Sequence, residues 1–221
     1  MAKTTIFSGG FGSGKSEIAL NYVRALKKET ADVVLADLDL VNPYFASRDR
    51  LAMLEAEGIH VAAPPEELSF SDVPALPLDM MFILRGESEL VIDLAGDEAG
   101  ATVLGSLQGM VQARGDYEML LVINPYRPFA ENLENMKEML DILQFSARMN
   151  FTGIVSNPNL AAETTAEDVL EGHELVKGYA EAFGLPIKML AVDETLIDEV
   201  RGKVDVEVFP LTILLRPDFL K

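Results

Sequence analysis

The feature that most constrains how this chain can fold is a glycine-rich turn between a β-prone run and a helical pattern. The turn lies within Thr4–Ser16 (TTIFSGGFGSGKS) and reads G-x-x-x-x-G-K-S from Gly9 to Ser16. Glycines at this spacing let backbone amides turn inward around phosphate oxygens, and the helix that follows points its positive end at the same anion. In such a loop, Lys15 reaches the terminal phosphates and the Ser16 hydroxyl ligates Mg²⁺.

The same turn has two simpler interpretations. An ordinary glycine-rich connection would have a similar composition, but a strand before the turn and a helix after it are the context that a phosphate-binding loop requires. A dinucleotide-binding G-x-G-x-x-G fingerprint fits badly, because a pattern begun at Gly10 and Gly12 would need its third glycine at Lys15. The spacing therefore favours a loop for nucleotide phosphates.

Length, charge and cysteine usage exclude several classes of protein. The 221 residues suit a single domain, 1–221, and the chain has no apolar run long enough for a transmembrane helix. The first residues lead directly into a strand and leave no room for a signal peptide, so we expect a cytoplasmic protein. A net charge of −18 argues against binding to nucleic acid or to anionic membranes. With no cysteines, the chain has no disulfide and no thiolate-bound cluster.

Two acidic residues follow the second predicted strand. Asp32–Leu38 (DVVLADL) is an apolar run of the kind buried in parallel sheets, and Asp37 and Asp39 lie at its end. These carboxylates are placed to bind the water shell of Mg²⁺ and to orient a nucleophile. An Asp at a strand end also commonly starts a turn, but the phosphate loop one βαβ unit earlier favours the functional interpretation. Two later arginines, Arg48 and Arg50, are interpreted as surface residues.

A second acidic strand end lies within Ser88–Gly100 (SELVIDLAGDEAG). An apolar run closing on Asp93 is the Walker B arrangement, in which the carboxylate holds Mg²⁺ or its waters. The same stretch has the form D-x-x-G from Asp93 to Gly96. A glycine amide at Gly96 can contact a γ-phosphate, so this segment can respond to hydrolysis.

The predicted strands share a polar residue at or just beyond the carboxyl end: Ser8, Asp37, Asp93, Asn124, Asn157 and Asp193. In open α/β sheets, ligands bind beyond these ends. The alternation of buried strands and helical patterns predicts an α/β fold with a mainly parallel sheet. A helix is expected from about Phe129. The two histidines, His60 and His173, lack the spacing of a metal site, and His173 is expected to be a hydrogen-bonded core residue.

A proline-punctuated segment, 64–85, separates the third predicted strand from the Walker B strand. It has the length of a lid, a partner surface or an insertion, and the sequence does not distinguish among these three.

Three motifs together resemble those of the MinD/ParA/CobQ-type P-loop proteins, which belong to the SIMIBI class. They are GGFGSGKS at 9–16, LADLDLVNP at 35–43 and VIDLAGD at 91–97, in the family's order. The resemblance implies a three-layer sandwich with helices on both faces of a mainly parallel sheet. It also implies ATP and Mg²⁺ as ligands.

The resemblance also implies roles for individual residues. Lys15 would neutralise phosphate charge and Asp39 would assist hydrolysis, so these two are the predicted catalytic residues. Asn157 occupies a position that often contacts the base. The predicted nucleotide-binding residues are Gly9, Gly10, Phe11, Gly12, Ser13, Gly14, Lys15, Ser16, Gly96 and Asn157, and the predicted Mg²⁺ site comprises Ser16, Asp37 and Asp93.

The sequence departs from the family at the start of the loop. Gly10 lies where many members carry a lysine that reaches across a nucleotide-sandwich dimer, which argues against that mechanism and against dimerisation by that route. The guanine motif N-K-x-D is missing, since Ser156-Asn157-Pro158-Asn159 stands in its place, and this favours ATP over GTP.

Three functions remain open at this stage. The first is a Mg²⁺-dependent ATPase that acts as a nucleotide-driven switch and works with a protein partner or as a homodimer. The second is an ATP-dependent metabolite kinase or ligase resembling dethiobiotin synthetase, in which 64–85 would bind the acceptor. The third is a nucleotide-gated binding module that does not hydrolyse its ligand.

Overall fold

The structure is a computed structural model that describes residues 4–39, 51–63 and 76–215. Arg48, Arg50 and the first part of segment 64–85 therefore lie outside the described residues. The elements are β1 (Thr4–Ser8), α1 (Lys15–Lys27), β2 (Val33–Leu38), α2 (Leu51–Ala56), β3 (His60–Ala62), α3 (Met80–Ile83), β4 (Glu89–Leu94), α4 (Glu98–Ala113), β5 (Tyr117–Ile123), α5 (Leu133–Ala147), β6 (Gly153–Ser156), α6 (Ala166–Phe183), β7 (Ile187–Asp193), α7 (Ile197–Val200) and β8 (Val208–Leu211).

The described strands form one eight-stranded sheet in the order β3-β2-β4-β1-β5-β6-β7-β8, and every neighbouring pair is parallel. The α/β fold and the parallel sheet expected from the sequence are thereby confirmed. Strand β1 lies between β4 and β5. Strands β2, β3 and β4 lie on one side of β1, and strands β5 to β8 lie on the other. Such a switch point opens a crevice beyond the carboxyl ends of the strands, and here the crevice lies at the end of β1.

The sheet is buried on both faces, which makes the molecule a three-layer sandwich. Successive residues of a strand point to opposite faces, so Ile6 packs in the core beneath α4 and α5 while Phe7 packs beneath α1. The same division holds in β4, where Ile92 and Val91 lie in the two opposite cores. Burial on both faces explains why the central strands read as continuous apolar runs.

The helix after β5 begins later than the sequence indicated. It was expected from about Phe129, but Pro128–Ala130 form a 3₁₀ turn and α5 starts at Leu133. Asn132 sets this boundary, because its side chain accepts a hydrogen bond from the Asn135 amide at 2.9 Å and caps the helix. Phe129 consequently lies before the helix and is half exposed.

The described residues contain no helix with the length and apolar character needed to cross a membrane. The predicted core histidine, His173, is fully buried, and its Nδ1 lies 3.0 Å from Ser156 Oγ. Burial lowers the pKa of His173, so its imidazole is neutral at physiological pH.

Candidate functional site

The glycine-rich loop connects β1 to α1 and leaves the start of that helix open. Gly12 and Gly14 have φ values of 75° and 90°, which favour glycine, and the loop is closed by a hydrogen bond from the Ser13 amide to the Gly10 carbonyl at 3.0 Å. Gly14 is the N-cap of α1, so no side chain caps the helix. The positive end of α1 is therefore directed at whatever occupies the loop.

Lys15, the first residue of α1, forms an ion pair with Asp39, which follows β2. Its Nζ lies 2.6 Å from Asp39 Oδ2, and the two side chains are only 12% and 6% exposed. Burial alone lowers the pKa of Lys15, but Asp93, Asp39 and Asp37 together raise it above its usual value. Lys15 is therefore a permanent cation, and the two predicted catalytic residues are in direct contact.

Asp37 and Asp93 lie side by side at the ends of neighbouring strands. They are register partners in the β2–β4 ladder, and Asp37 Oδ1 also accepts a hydrogen bond from the Asp39 amide at 3.0 Å. Asp93 is fully buried, and neither of its carboxylate oxygens has a well-formed hydrogen bond among the described residues. Burial raises its pKa to about 6, although Lys15 and the nearby Ser16 hydroxyl act in the opposite direction.

The donors around Asp93 fit Mg²⁺ rather than a metal held by protein alone. Within the described part of the chain, no three histidine, aspartate or glutamate side chains come together as a metal-binding group. Mg²⁺ commonly uses one or two protein oxygens and completes its shell with phosphate and water. A buried carboxylate that has no well-formed hydrogen bond in the described part of the chain, beside a serine hydroxyl and an open helix terminus, suits such an ion.

The predicted D-x-x-G segment is pressed against the glycine-rich loop. A Cβ atom built on Gly96 would lie 1.7 Å from the Gly9 carbonyl oxygen, so no other residue fits at this position without moving the backbone. The next residue, Asp97, caps α4 by accepting a hydrogen bond from the Gly100 amide at 2.8 Å. The segment is thus fixed on one side by the loop and on the other by a helix.

Asn157 lies behind the loop and supports its backbone. The side chain is buried, and its Nδ2 donates a hydrogen bond to the Ser13 carbonyl at 2.7 Å. A Cβ on Gly14 would lie 2.3 Å from the same nitrogen, so the fourth glycine of the loop makes room for this contact. The base contact that the family resemblance implies for Asn157 stays a prediction.

Sequence reasoning missed three residues that contact the loop or its helix. Arg127 Nε donates to the Gly12 carbonyl at 3.2 Å, and the Phe129 ring lies 3.2 Å from where a Cβ on Gly10 would be. Both follow β5, so the rule that ligands bind beyond strand ends could have identified them. The carboxylate of Glu17 accepts hydrogen bonds from the Leu214 and Leu215 amides at 2.7 and 3.0 Å, and no local pattern predicts this contact.

These elements surround a cavity of about 230 Å³ at the start of α1. It is bounded by the loop, by the Lys15–Asp39 pair and by the segment that follows β8. The residues that line it are Phe11, Gly12, Gly14, Lys15, Ser16, Glu17, Asp39 and Leu215. Five of the ten predicted nucleotide-binding residues therefore border one open space.

No protein-family model and no curated protein matches this sequence. Solved structures do resemble its fold. Cell division protein FtsY from Thermotoga maritima has a TM-score of 0.60 at 19% identity, over 88% of this chain and 63% of that protein. Chloroplast FtsY from Physcomitrella patens has a TM-score of 0.60 at 17% identity, over 88% and 59% of the two chains. FlhF complexed with GTP and Mg²⁺ has a TM-score of 0.51 at 11% identity, over 85% and 64%.

The fold is that of a P-loop NTPase. At 11–19% identity the likeness concerns the fold alone, so the SIMIBI class and the MinD/ParA type expected from the sequence stay predictions. The chain spans about three fifths of the length of these structures.

Proposed function

We propose that this protein is a Mg²⁺-dependent nucleoside triphosphatase that acts as a nucleotide-driven switch. The observation that carries the proposal is the buried ion pair between Lys15 and Asp39 at the open end of α1, beside Asp93. A lysine held at the end of a phosphate loop by a carboxylate is ready to exchange that partner for a phosphate. The P-loop fold of the structures that resemble the chain is consistent with this function.

Each residue of the site has a definite task in the proposed reaction. The loop amides and Lys15 bind the β- and γ-phosphates, and Ser16 and Asp93 would hold Mg²⁺, which neutralises charge on the phosphates. When Lys15 turns to phosphate, Asp39 loses its ion pair. Its carboxylate can then accept a proton from the attacking water, or orient that water by a hydrogen bond. Catalysis would come mainly from positioning and from charge neutralisation.

We favour ATP as the nucleotide, with GTP as the alternative. Guanine recognition of the N-K-x-D type needs a carboxylate after β6, because only a carboxylate accepts both guanine N–H groups. Asn159 occupies that position, and its Oδ1 already accepts a hydrogen bond from the Ala161 amide at 2.8 Å. Two similar structures instead contain guanine nucleotides, GTP in FlhF and GDP in FtsY from Elizabethkingia anophelis.

A binding measurement tests this choice. Fluorescent ATP and GTP analogues are titrated into the full chain with and without Mg²⁺, and each is displaced by unlabelled nucleotide. We expect Mg²⁺-dependent binding that ATP displaces better than GTP. Lys15→Ala should lose this binding, and Lys28→Ala, at the exposed far end of α1, should retain it. Binding that GTP displaces better would overturn the choice of ATP while leaving the triphosphatase intact.

The kinase or ligase alternative depends on residues outside the described part of the chain. In that alternative 64–85 would bind the acceptor, and only 76–85 of this segment are described. A chain that binds nucleotide tightly without releasing phosphate would instead be the non-hydrolysing module.

A further inference from the structure

A groove lies between α4 and α5 next to the proposed switch segment. The two helices run in the same direction, because each follows a strand of the parallel sheet. They approach closely at Gly105, where a Cβ would lie 2.2 Å from the Ser146 carbonyl oxygen. Nearer the nucleotide site, a groove of about 580 Å³ lies between Gly96–Glu98 at the start of α4 and 135–143 of α5. We call it the α4–α5 groove.

The lining of the α4–α5 groove is largely apolar and partly exposed. Met139 and Leu143 line it together with Ile142 and Phe129, which are 41% and 50% exposed. Phe145, three residues after Ile142 on α5, is 85% exposed. Exposed apolar side chains grouped in this way often mark an interaction site.

The polar residues around the α4–α5 groove are acidic. Asp97, Glu98 and Glu138 line it, and none of the described lining residues is a lysine or an arginine. A second copy of this chain would bring acid against acid, since a two-fold interface places the same patch on both sides and the chain carries a net charge of −18. Charge complementarity instead selects a partner with basic residues beside an apolar face.

Two contacts join the groove to the phosphate loop. Gly96, at one end of the groove, lies against the Gly9 carbonyl, and Phe129, in its wall, lies against Gly10. A ligand that moved either residue would therefore move the loop. By linkage, a partner in the groove and a nucleotide in the loop would each change the affinity for the other by the same factor.

We propose that the α4–α5 groove docks an amphipathic, basic helix of a partner protein and that this docking is coupled to the nucleotide. The geometry is that of a helix laid in an apolar groove, with its apolar residues on Phe129, Met139 and Ile142. Its lysines or arginines would face Glu98 and Glu138. The coupling rests on the proposed triphosphatase function, whereas the docking itself does not.

The docking is tested without nucleotide. A fluorescein-labelled model helix of about five turns, built of leucine and lysine, is titrated with the full chain at physiological salt and followed by anisotropy. Glu98→Lys combined with Glu138→Lys should weaken binding by about tenfold or more. The matched control reverses Glu181 and Glu199, which are exposed on α6 and α7, and should change binding by less than about threefold.

The apolar contribution is tested separately with Ile142→Ser, which leaves the charge unchanged. We expect it to weaken binding of the leucine–lysine helix by about threefold or more, and to leave a lysine–serine peptide of equal charge unaffected. If both pairs of charge reversals weakened binding equally, or if Ile142→Ser had no effect, the helix would be attracted only by the overall negative charge. Either result would overturn the docking site.

The coupling is tested by repeating the titration with Mg²⁺ and a non-hydrolysable ATP or GTP analogue. We expect the affinity for the model helix to change by about fivefold or more, and Lys15→Ala to abolish the change. If the model helix still binds but its affinity does not change with nucleotide, the coupling is wrong and the docking site stands. Loss of nucleotide binding in the separate displacement assay would instead overturn the proposed function.

Discussion

The Nζ atom of Lys15 lies 2.6 Å from Oδ2 of Asp39, at the mouth of the phosphate loop. This ion pair joins the first residue of α1 to the residue after β2, two elements that would bind opposite sides of a terminal phosphate. Because phosphate and Asp39 compete for the same ammonium group, the pair makes Asp39 both a competitor of the nucleotide and a group that its binding releases.

Removal of Asp39 should therefore affect binding and turnover in opposite directions. In Asp39→Ala, Lys15 no longer has to leave a carboxylate, so nucleotide affinity should rise by roughly 2- to 10-fold. Phosphate release should fall by about 10²-fold or more, because the group that orients the attacking water is lost. Equilibrium titration and single-turnover phosphate release measure the two effects. A parallel loss of both would show that Asp39 mainly supports the fold of the loop.

The buried carboxyl of Asp93 should make stability depend on pH. Its pKa is raised from 3.8 to about 6, so the folded state binds the proton more tightly than the unfolded state. The free energy of unfolding should therefore fall as pH rises from about 4 to about 6. It should stay low at higher pH, because the ionised carboxylate remains buried. Asp93→Asn should remove a cost of about 1–3 kcal/mol at pH 8 and much less at pH 4.

Urea denaturation of the nucleotide-free protein at the two pH values checks this prediction, with Asp198→Asn on the exposed surface of α7 as the control. The same Asp93→Asn variant should lose the dependence of nucleotide binding on Mg²⁺, because the carboxylate that fits the ion is gone. A variant that is less stable than the natural protein at pH 8 would contradict our account of Asp93.

Gly96→Ala should disrupt the contact between the switch segment and the loop. The added methyl would lie 1.7 Å from the Gly9 carbonyl, so one of the two backbones has to move. We expect a loss of about 2–3 kcal/mol in the free energy of unfolding, together with weaker nucleotide binding. Gly109→Ala in α4 is the matched control, because nothing lies within 4 Å of its Cβ position. It should stabilise the helix by up to about 1 kcal/mol.

Glu17→Ala should loosen the segment that closes the nucleotide cavity. The carboxylate holds the amides of Leu214 and Leu215, and Leu215 lines the cavity. Hydrogen bonds to a charged acceptor contribute about 1.5–3 kcal/mol each, so amide exchange at these two residues should accelerate by about tenfold or more. Nucleotide should also dissociate faster. Glu29→Ala, on the exposed turn after α1, should change neither, and unchanged exchange in Glu17→Ala would contradict the assigned role.

Much of this arrangement could be predicted because it is encoded in short stretches. The loop motif, the apolar strands and the acidic residues at their ends each depend on neighbours in sequence, and a parallel sheet then brings Asp37 and Asp93 together. The ion pair between Lys15 and Asp39 was not predicted as a contact, although both residues were identified. The sheet places the ends of β1 and β2 on either side of β4. Whether Lys15 and Asp39 then touch depends on the conformations of their side chains.

Other features could not be predicted because they depend on distant packing. Glu17 contacts residues almost two hundred positions later, and no periodicity or motif records that meeting. The sequence predicts a helix from about Phe129, whereas the cap at Asn132 leaves this residue in a turn against Gly10. The α4–α5 groove depends on how the two helices pack, and the sequence shows their close approach at Gly105 only as a glycine within a helix.

Mg²⁺-dependent phosphate release by the purified full chain tests whether this protein is a nucleoside triphosphatase. We expect release from ATP, or from GTP, that depends on Mg²⁺ and falls by about 10²-fold or more in both Lys15→Ala and Asp39→Ala, while thermal unfolding confirms that both variants are folded. Phosphate release that is unchanged in both folded variants would contradict the proposed mechanism.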